Sequence, residues 1–233
     1  MPGGGKQYYL TSTTLVSMNL SHIIEHTILE PDCPAVQIQT LCEEALAHRF
    51  PAICIPPFHI NKAVSFLEES PVKIGSVIGF PMGYNSTPAK VEEIKRAIDD
   101  GVDELDAAVN LCAVKSDNWN YVKNDIDSMM MAVHLKGKII KIILETALLT
   151  KKELERLCGI CTETGVDYVG TATGFNGGGA TVEMVSFLRR QLPANIKIKA
   201  CGGIQTAELA GQLAEAGANR IGLPSNLDII GSL

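Results

Sequence analysis

Three times along this chain a helical pattern stops at a glycine and passes straight into a β-type run: Gly101-Val102-Asp103, Gly165-Val166-Asp167 and Gly217-Ala218-Asn219. Glycine at that point reads as the left-handed residue just past a helix end, a conformation that costs it no Cβ clash. One kind of short helix-to-strand turn, repeated, implies parallel strands reached by right-handed crossovers. The rest of the chain keeps the same alternation. Strand candidates fall at His26 to Leu29, Ala52 to Ile55, Lys73 to Gly79, Glu104 to Val109, Ile139 to Glu145, Asp167 to Thr171, Ile196 to Ala200 and Asn219 to Gly222, with helical patterns between most of them. An open doubly wound sheet would carry about 5 or 6 strands. Eight in about 215 residues predict an α/β fold, a single (β/α)8 TIM barrel, preceded by a short N-terminal helix at Leu20, Ile23 and Ile24.

Local signals place the helices. Asp32 with Pro34 reads as a cap and first-turn proline, ahead of a stripe of Ile38, Leu41, Cys42, Ala45 and Leu46. Thr87-Pro88 caps a helix with Val91, Ile94 and Ile98 in register, and Thr150 with Glu153 forms a capping box before Leu154, Leu157, Cys158 and Cys161. Residues 1–17 are polar, begin Met-Pro-Gly-Gly-Gly and hold no sustained period, so they read as a disordered extension to a domain spanning 18–233.

Charge and cysteine usage narrow the partners. A net charge of −6 and a pI near 5.4 argue against nucleic acid and against an anionic membrane surface, both of which call for a basic face. No stretch reaches the roughly 18–20 apolar residues of a membrane span. Seven cysteines, an odd number set in apolar segments, read as reduced thiols, and the chain as cytoplasmic. Cys158-x-x-Cys161 lies on the apolar stripe of its helix and reads as core packing. Met129 to Met131 reads the same way. The five histidines form no ligand cluster, so neither a metal nor a cofactor is expected. Small molecules remain as ligands, and a homodimer is compatible with the sequence.

In a barrel of this kind chemistry sits at the C-terminal ends of the strands. The fourth strand brings Asp106 and Asn110 there, the fifth Lys141 and Glu145, the sixth Gly170 and Thr171, the seventh Lys199. Charge inside a parallel strand is costly unless paired. Asp106, Lys141 and Lys199 therefore form either a reactive constellation or a structural ion-pair layer filling the barrel. The glycine-dense loop after Thr171 lacks the G-x-G-x-x-G spacing of a dinucleotide site.

The stretch Asp167-Tyr168-Val169-Gly170-Thr171-Ala172-Thr173-Gly174-Phe175 resembles the signature of the deoxyribose-phosphate aldolase family. So do His26-Thr27-Ile28-Leu29, Val77-Ile78-Gly79-Phe80-Pro81, Asp103-Glu104-Leu105-Asp106 and Lys199-Ala200-Cys201-Gly202-Gly203, in order and at family spacing. The resemblance implies a class I aldolase that cleaves 2-deoxy-D-ribose 5-phosphate to glyceraldehyde 3-phosphate and acetaldehyde. A lysine amine forms a Schiff base, a second lysine depresses its pKa, and an aspartate moves protons. Asp106 matches the aspartate and Lys199 the second lysine. The Schiff-base lysine's place is Gly170, and glycine has no amine to offer.

The resemblance further implies a sugar-phosphate cradle from Thr171, Gly174, Gly202, Gly203, Gly222 and Ser225. The chain departs from the family pattern around it, with Glu30 for lysine, Ala172 for serine, Gln205 for arginine and Pro224 for serine. Three readings follow. The family reaction is impaired; the barrel is a non-catalytic binder of a metabolite or partner; or Lys199 or Lys141 serves a lyase acting on another aldehyde.

Overall fold

The computed structural model describes residues 20–225. Eight parallel strands close into one barrel in chain order: β1 (Ile24–Thr27), β2 (Ala52–Ile55), β3 (Lys73–Ile78), β4 (Glu104–Ala108), β5 (Ile139–Ile143), β6 (Tyr168–Gly170), β7 (Lys197–Cys201) and β8 (Arg220–Pro224). Helices α1 (Ala35–Ala47), α2 (Ile60–Phe66), α3 (Thr87–Asp99), α4 (Leu111–Lys115), α5 (Trp119–His134), α6 (Lys151–Thr164), α7 (Val182–Gln191) and α8 (Ala207–Glu215) form the outer layer. α4 and α5 both lie between β4 and β5. The expected extension at residues 1–17 lies outside the described residues, as does the chain after Ser225.

Alternation along each strand divides the interior into two media. Ile24, Ile53, Ile55, Leu105, Ala107, Ile140, Ile142, Val169, Ile198, Ala200, Ile221 and Leu223 face outward and pack under the helices as one apolar layer. Each such isoleucine, leucine or valine taken from water contributes about 1.5–3 kcal/mol. Their neighbours one residue along point into the barrel, and six of them are charged: Glu25, Glu104, Asp106, Lys141, Lys199 and Arg220, all buried. The core that holds the fold thus surrounds the barrel, and its axis carries the polar chemistry.

The three repeated glycines all take positive φ, 107° at Gly101, 74° at Gly165 and 112° at Gly217, as their place past a helix end requires. Thr150 and Glu153 make the reciprocal capping box. Several boundaries differ from the sequence reading. The N-terminal helix is a single 3-10 turn, Ser21–Ile23, and Ile24 already belongs to β1. β1 runs earlier than expected because its ladder pairs Ile24 to Thr27 with Ile221 to Pro224. Asp32 caps nothing: Pro34 holds the position before α1, with no side-chain hydrogen bond. Leu46 is exposed, at the edge of the buried stripe that Ile38, Leu41, Cys42 and Ala45 form on α1. Ser86, not Thr87, precedes α3. Met129 packs inward as expected, whereas Met131 is 59% exposed. Cys158 and Cys161 are buried on α6.

Candidate active site

Six charged groups meet inside the barrel, three cations and three carboxylates. Lys141 Nζ lies 2.9 Å from Glu25 Oε2, 2.8 Å from Asp106 Oδ1 and 2.8 Å from Glu104 Oε2. The first two contacts are hydrogen bonds; the third is ionic, its geometry leaving Glu104 Oε2 without a hydrogen-bond donor. Lys199 Nζ donates to Glu25 Oε1 and to Asp106 Oδ2. Arg220 spans Glu25 Oε2 at 3.4 Å and Glu104 Oε1 at 3.2 Å. Charge is therefore balanced within the cluster, which is how a barrel tolerates six ionic groups away from water. The ion-pair layer anticipated from sequence exists, and Lys141, Lys199 and Asp106 all belong to it.

The electrostatics follow from those contacts. Burial alone would lower the pKa of Lys199, but Asp106 and Glu25 overturn it and hold the amine well above the ordinary lysine value. Lys141 is likewise raised, burial being outweighed by Asp106, Glu25 and Glu104. Burial would raise the Glu25 carboxyl, yet Lys141, Lys199 and Arg220 keep it below the usual carboxylate range. Both lysines are thus charged at neutral pH, with no lone pair for attack on a carbonyl. Glu25, Cys54 and Asp106 also bring three possible metal ligands together. The two carboxylates of that trio already have their positive charge from Lys141 and Lys199.

Above the cluster, toward the strands' C-terminal ends, a cavity of about 330 Å³ opens to solvent. Asp106 and Lys199 form part of its floor; Thr27, Glu30, Phe80, Thr173, Gly174, Phe175, Cys201, Gly202, Gly203, Gly222 and Pro224 are among its walls. Lys141 is sealed beneath, with no exposed surface. Gly170 is the register partner of Ile143 on β5 and of Lys199 on β7. All three positions face inward at one level. A Cβ built at Gly170 would lie 3.3 Å from Ile143 Cγ1 and 3.5 Å from Ile143 Cα, contacts that a small shift of a flexible side chain relieves. Its φ lies outside the left-handed region, so neither backbone nor packing requires glycine here.

The expected cradle divides. Gly174, Gly202, Gly203 and Gly222 line the cavity. Thr171 does not: it is fully buried, its hydroxyl donating to the Cys201 carbonyl and accepting from the Cys201 N–H. Ser225 lies just beyond β8, its N–H donating to the Thr27 carbonyl at 2.9 Å. Asn110 caps α4, accepting from the Ala113 N–H, and takes no part in the cavity. Glu145, two residues past β5, takes a left-handed conformation, φ 59°. Its buried carboxylate accepts from the Thr173 N–H and hydroxyl and from the Asn176 side-chain amide, and so grips the glycine loop after β6. That loop sits tightly on its neighbour, since a Cβ at Gly179 would come within 2.4 Å of the Gly202 carbonyl oxygen.

Sequence reasoning missed Glu25 and Arg220, and passed over Lys90. Lys90 is fully buried on α3, pairing with Asp125 at 2.8 Å and donating to the Ala108 carbonyl. With Glu93, which accepts from the Gly79 N–H at 2.7 Å, it fixes the corner that carries Phe80 into the cavity wall. A signal for it existed in Gly79, whose lack of a side chain leaves room for the lysine stem.

Known proteins match this arrangement along nearly the whole chain. The family model described as DeoC/LacD family aldolase covers residues 16–230. The chain belongs to that family. It is 42% identical over 218 residues to the deoxyribose-phosphate aldolase of Thermococcus gammatolerans, covering 93% of this chain and 97% of that one. A second family member, the deoxyribose-phosphate aldolase of Desulfitobacterium hafniense, is 44% identical over 214 residues, 92% of this chain and 98% of its own. The barrel superposes on the tetrameric deoxyribose phosphate aldolase of Aeropyrum pernix with a TM-score of 0.85 at 29% identity, covering 91% and 90% of the two chains. Family membership accounts for the barrel.

Proposed function

We propose that the cavity at the strands' C-terminal ends binds a small sugar phosphate or aldehyde, and that cleavage of 2-deoxy-D-ribose 5-phosphate by the family's covalent route is impaired in this chain. One observation carries the reading: Gly170 stands beside Lys199 and leaves Lys199 as the cavity's only amine among the described residues, and that amine is held by Asp106 and Glu25. An imine needs a neutral amine within about 3–3.5 Å of the carbonyl carbon. Freeing Lys199 would strip two buried carboxylates of a partner, a cost of several kcal/mol. Lys141 has the same handicap and no access to the cavity. The geometry therefore favours a binding barrel over a lyase that recruits either lysine.

The test is a retro-aldol assay on the purified chain, with 2-deoxy-D-ribose 5-phosphate as substrate and acetaldehyde release as readout. The reading expects no release above background, together with ligand-induced thermal stabilisation. Turnover at the pace of an ordinary enzyme, with kcat above about 1 per second, would refute it.

A further inference from the structure

The rim of the cavity is electrically two-ended. At one end Gly174, Gly202 and Gly203 line it, and their N–H groups have no hydrogen-bond partner among the described residues. The two loops that carry them touch: a Cβ at Gly202 would lie 3.6 Å from Gly174 Cα. Grouped, unpaired backbone donors of this kind suit an anion, here the phosphate of the ligand proposed above.

A carboxylate stands at the other end. The charged groups on the wall are Glu30, Asp106 and Lys199, and the last two are joined to each other. Glu30 is exposed at the mouth, and its Oε2 accepts from the Leu29 N–H at 3.1 Å. Among the described residues no cation pairs with it. The barrel sets the spacing between the ends. Gly202 and Gly203 follow β7 and Glu30 follows β1, with β8 between the two strands. Neighbouring strands lie about 4.8 Å apart, so two steps around the barrel separate the ends by about 10 Å. Each bound charge stands about 3 Å from its protein partner, so a ligand that reaches both ends is short. At the floor an ammonium would meet Lys199, which leaves Glu30 as the group open to it.

We infer that Glu30 sets the specificity of this cavity, favouring phosphate esters that also carry a cationic amine, such as an amino sugar phosphate, over counterparts with a neutral tail. The inference rests on the reading that the cavity takes a phosphate ester, and it adds the charge of the group at the ligand's other end. Because Glu30 is exposed, its pairing with an ammonium is screened by solvent, and the preference amounts to about two- to fivefold in affinity.

Amide proton–nitrogen correlation spectra of the intact chain test this, read at Gly174, Gly202 and Gly203. The probes are inorganic phosphate, the ethyl, propyl and butyl phosphates, and the 2-aminoethyl, 3-aminopropyl and 4-aminobutyl phosphates. At about pH 8 the phosphates are dianions and the amines cations. In at least one pair the amino ester is expected to bind about two- to fivefold more tightly than the alkyl ester. Glu30→Gln keeps an oxygen for the Leu29 N–H and should bring every pair level. Equal affinity within every pair in the unmodified chain would overturn the inference and leave the phosphate reading standing. So would a preference that survives Glu30→Gln. Spectra that stay flat with all of the phosphates would remove the phosphate reading itself, and the inference with it.

Discussion

Gly170 and Lys199 stand side by side on β6 and β7, level with each other and facing the same cavity. One position has room and no side chain; the other has an amine and no freedom. Glycine at 170 relieves no strain, since the one tight contact of a Cβ there is with a movable Ile143 side chain, and its own backbone conformation is open to any residue. Lys199, by contrast, is fixed by two carboxylates that also serve Lys141 and Arg220. The difference teaches that holding a lysine at a cavity and freeing its amine for covalent chemistry are separate requirements. The amine must also be free to lose its proton, and in this barrel charge balance keeps the surviving amine protonated.

The contrast breaks most completely if the frame around Lys199 is removed. Lys141→Met leaves Glu25, Glu104 and Asp106 short of a cation in a dry interior, and a loss of about 3–5 kcal/mol is expected. Urea unfolding should show a lower midpoint at unchanged slope. A loss below about 1 kcal/mol would mean that the cluster is wetter than its burial indicates.

Gly170→Lys sharpens the contrast by filling the empty side. The new amine would lie beside the Lys199 cation, which lowers a neighbouring lysine's pKa. Borohydride trapping with acetaldehyde should place an adduct at position 170 and none at Lys199, and aldol activity should rise by about 100-fold or more over the parent chain. Absence of that adduct would show that a nucleophile is not all the cavity lacks.

A smaller effect is expected at the loop between the two strands and the solvent. Glu145→Gln keeps the left-handed backbone but weakens three contacts to Thr173 and Asn176. A loss of about 1–3 kcal/mol should come with faster amide exchange across residues 173–179, while the charge cluster beneath stays protected.

Alkaline pH tests the apolar layer. Burial pushes the Cys42 thiol up to about 11 and the Cys158 thiol up to about 12. A raised folded-state value means stability that is intact below the unfolded thiol's pKa of roughly 8.5. It is lost as pH climbs toward the folded-state values. Melting temperature should therefore fall gradually from about pH 8.5 upward, and less steeply in Cys158→Ala.

Much of this was legible in the sequence, for identifiable reasons. The barrel announced itself through glycine-ended helices and apolar strands, because parallel strands buried on both faces leave an unbroken hydrophobic trace. Asp106, Lys141 and Lys199 stood out as charges within such traces. β1 was harder to place, since Glu25 and His26 make its centre polar. Both are buried against distant partners: Lys141, Lys199 and Arg220 for Glu25, and Glu44, 2.6 Å from Nε2, for His26. Arg220 hid in the same way, at the start of β8. Residues such as Thr171 and Ser225 could be assigned to a loop from sequence, but not to a hydrogen-bond partner. Whether a hydroxyl or an N–H faces the ligand or its own backbone is decided by a few ångströms of chain path.

The most direct measurement is borohydride trapping of the unmodified chain with 2-deoxy-D-ribose 5-phosphate and, separately, with acetaldehyde, read by peptide mass spectrometry. No reduced adduct on Lys199 or Lys141 is predicted, alongside no retro-aldol product. A stoichiometric adduct on Lys199 would show that its amine escapes Asp106 and Glu25, and would contradict the account.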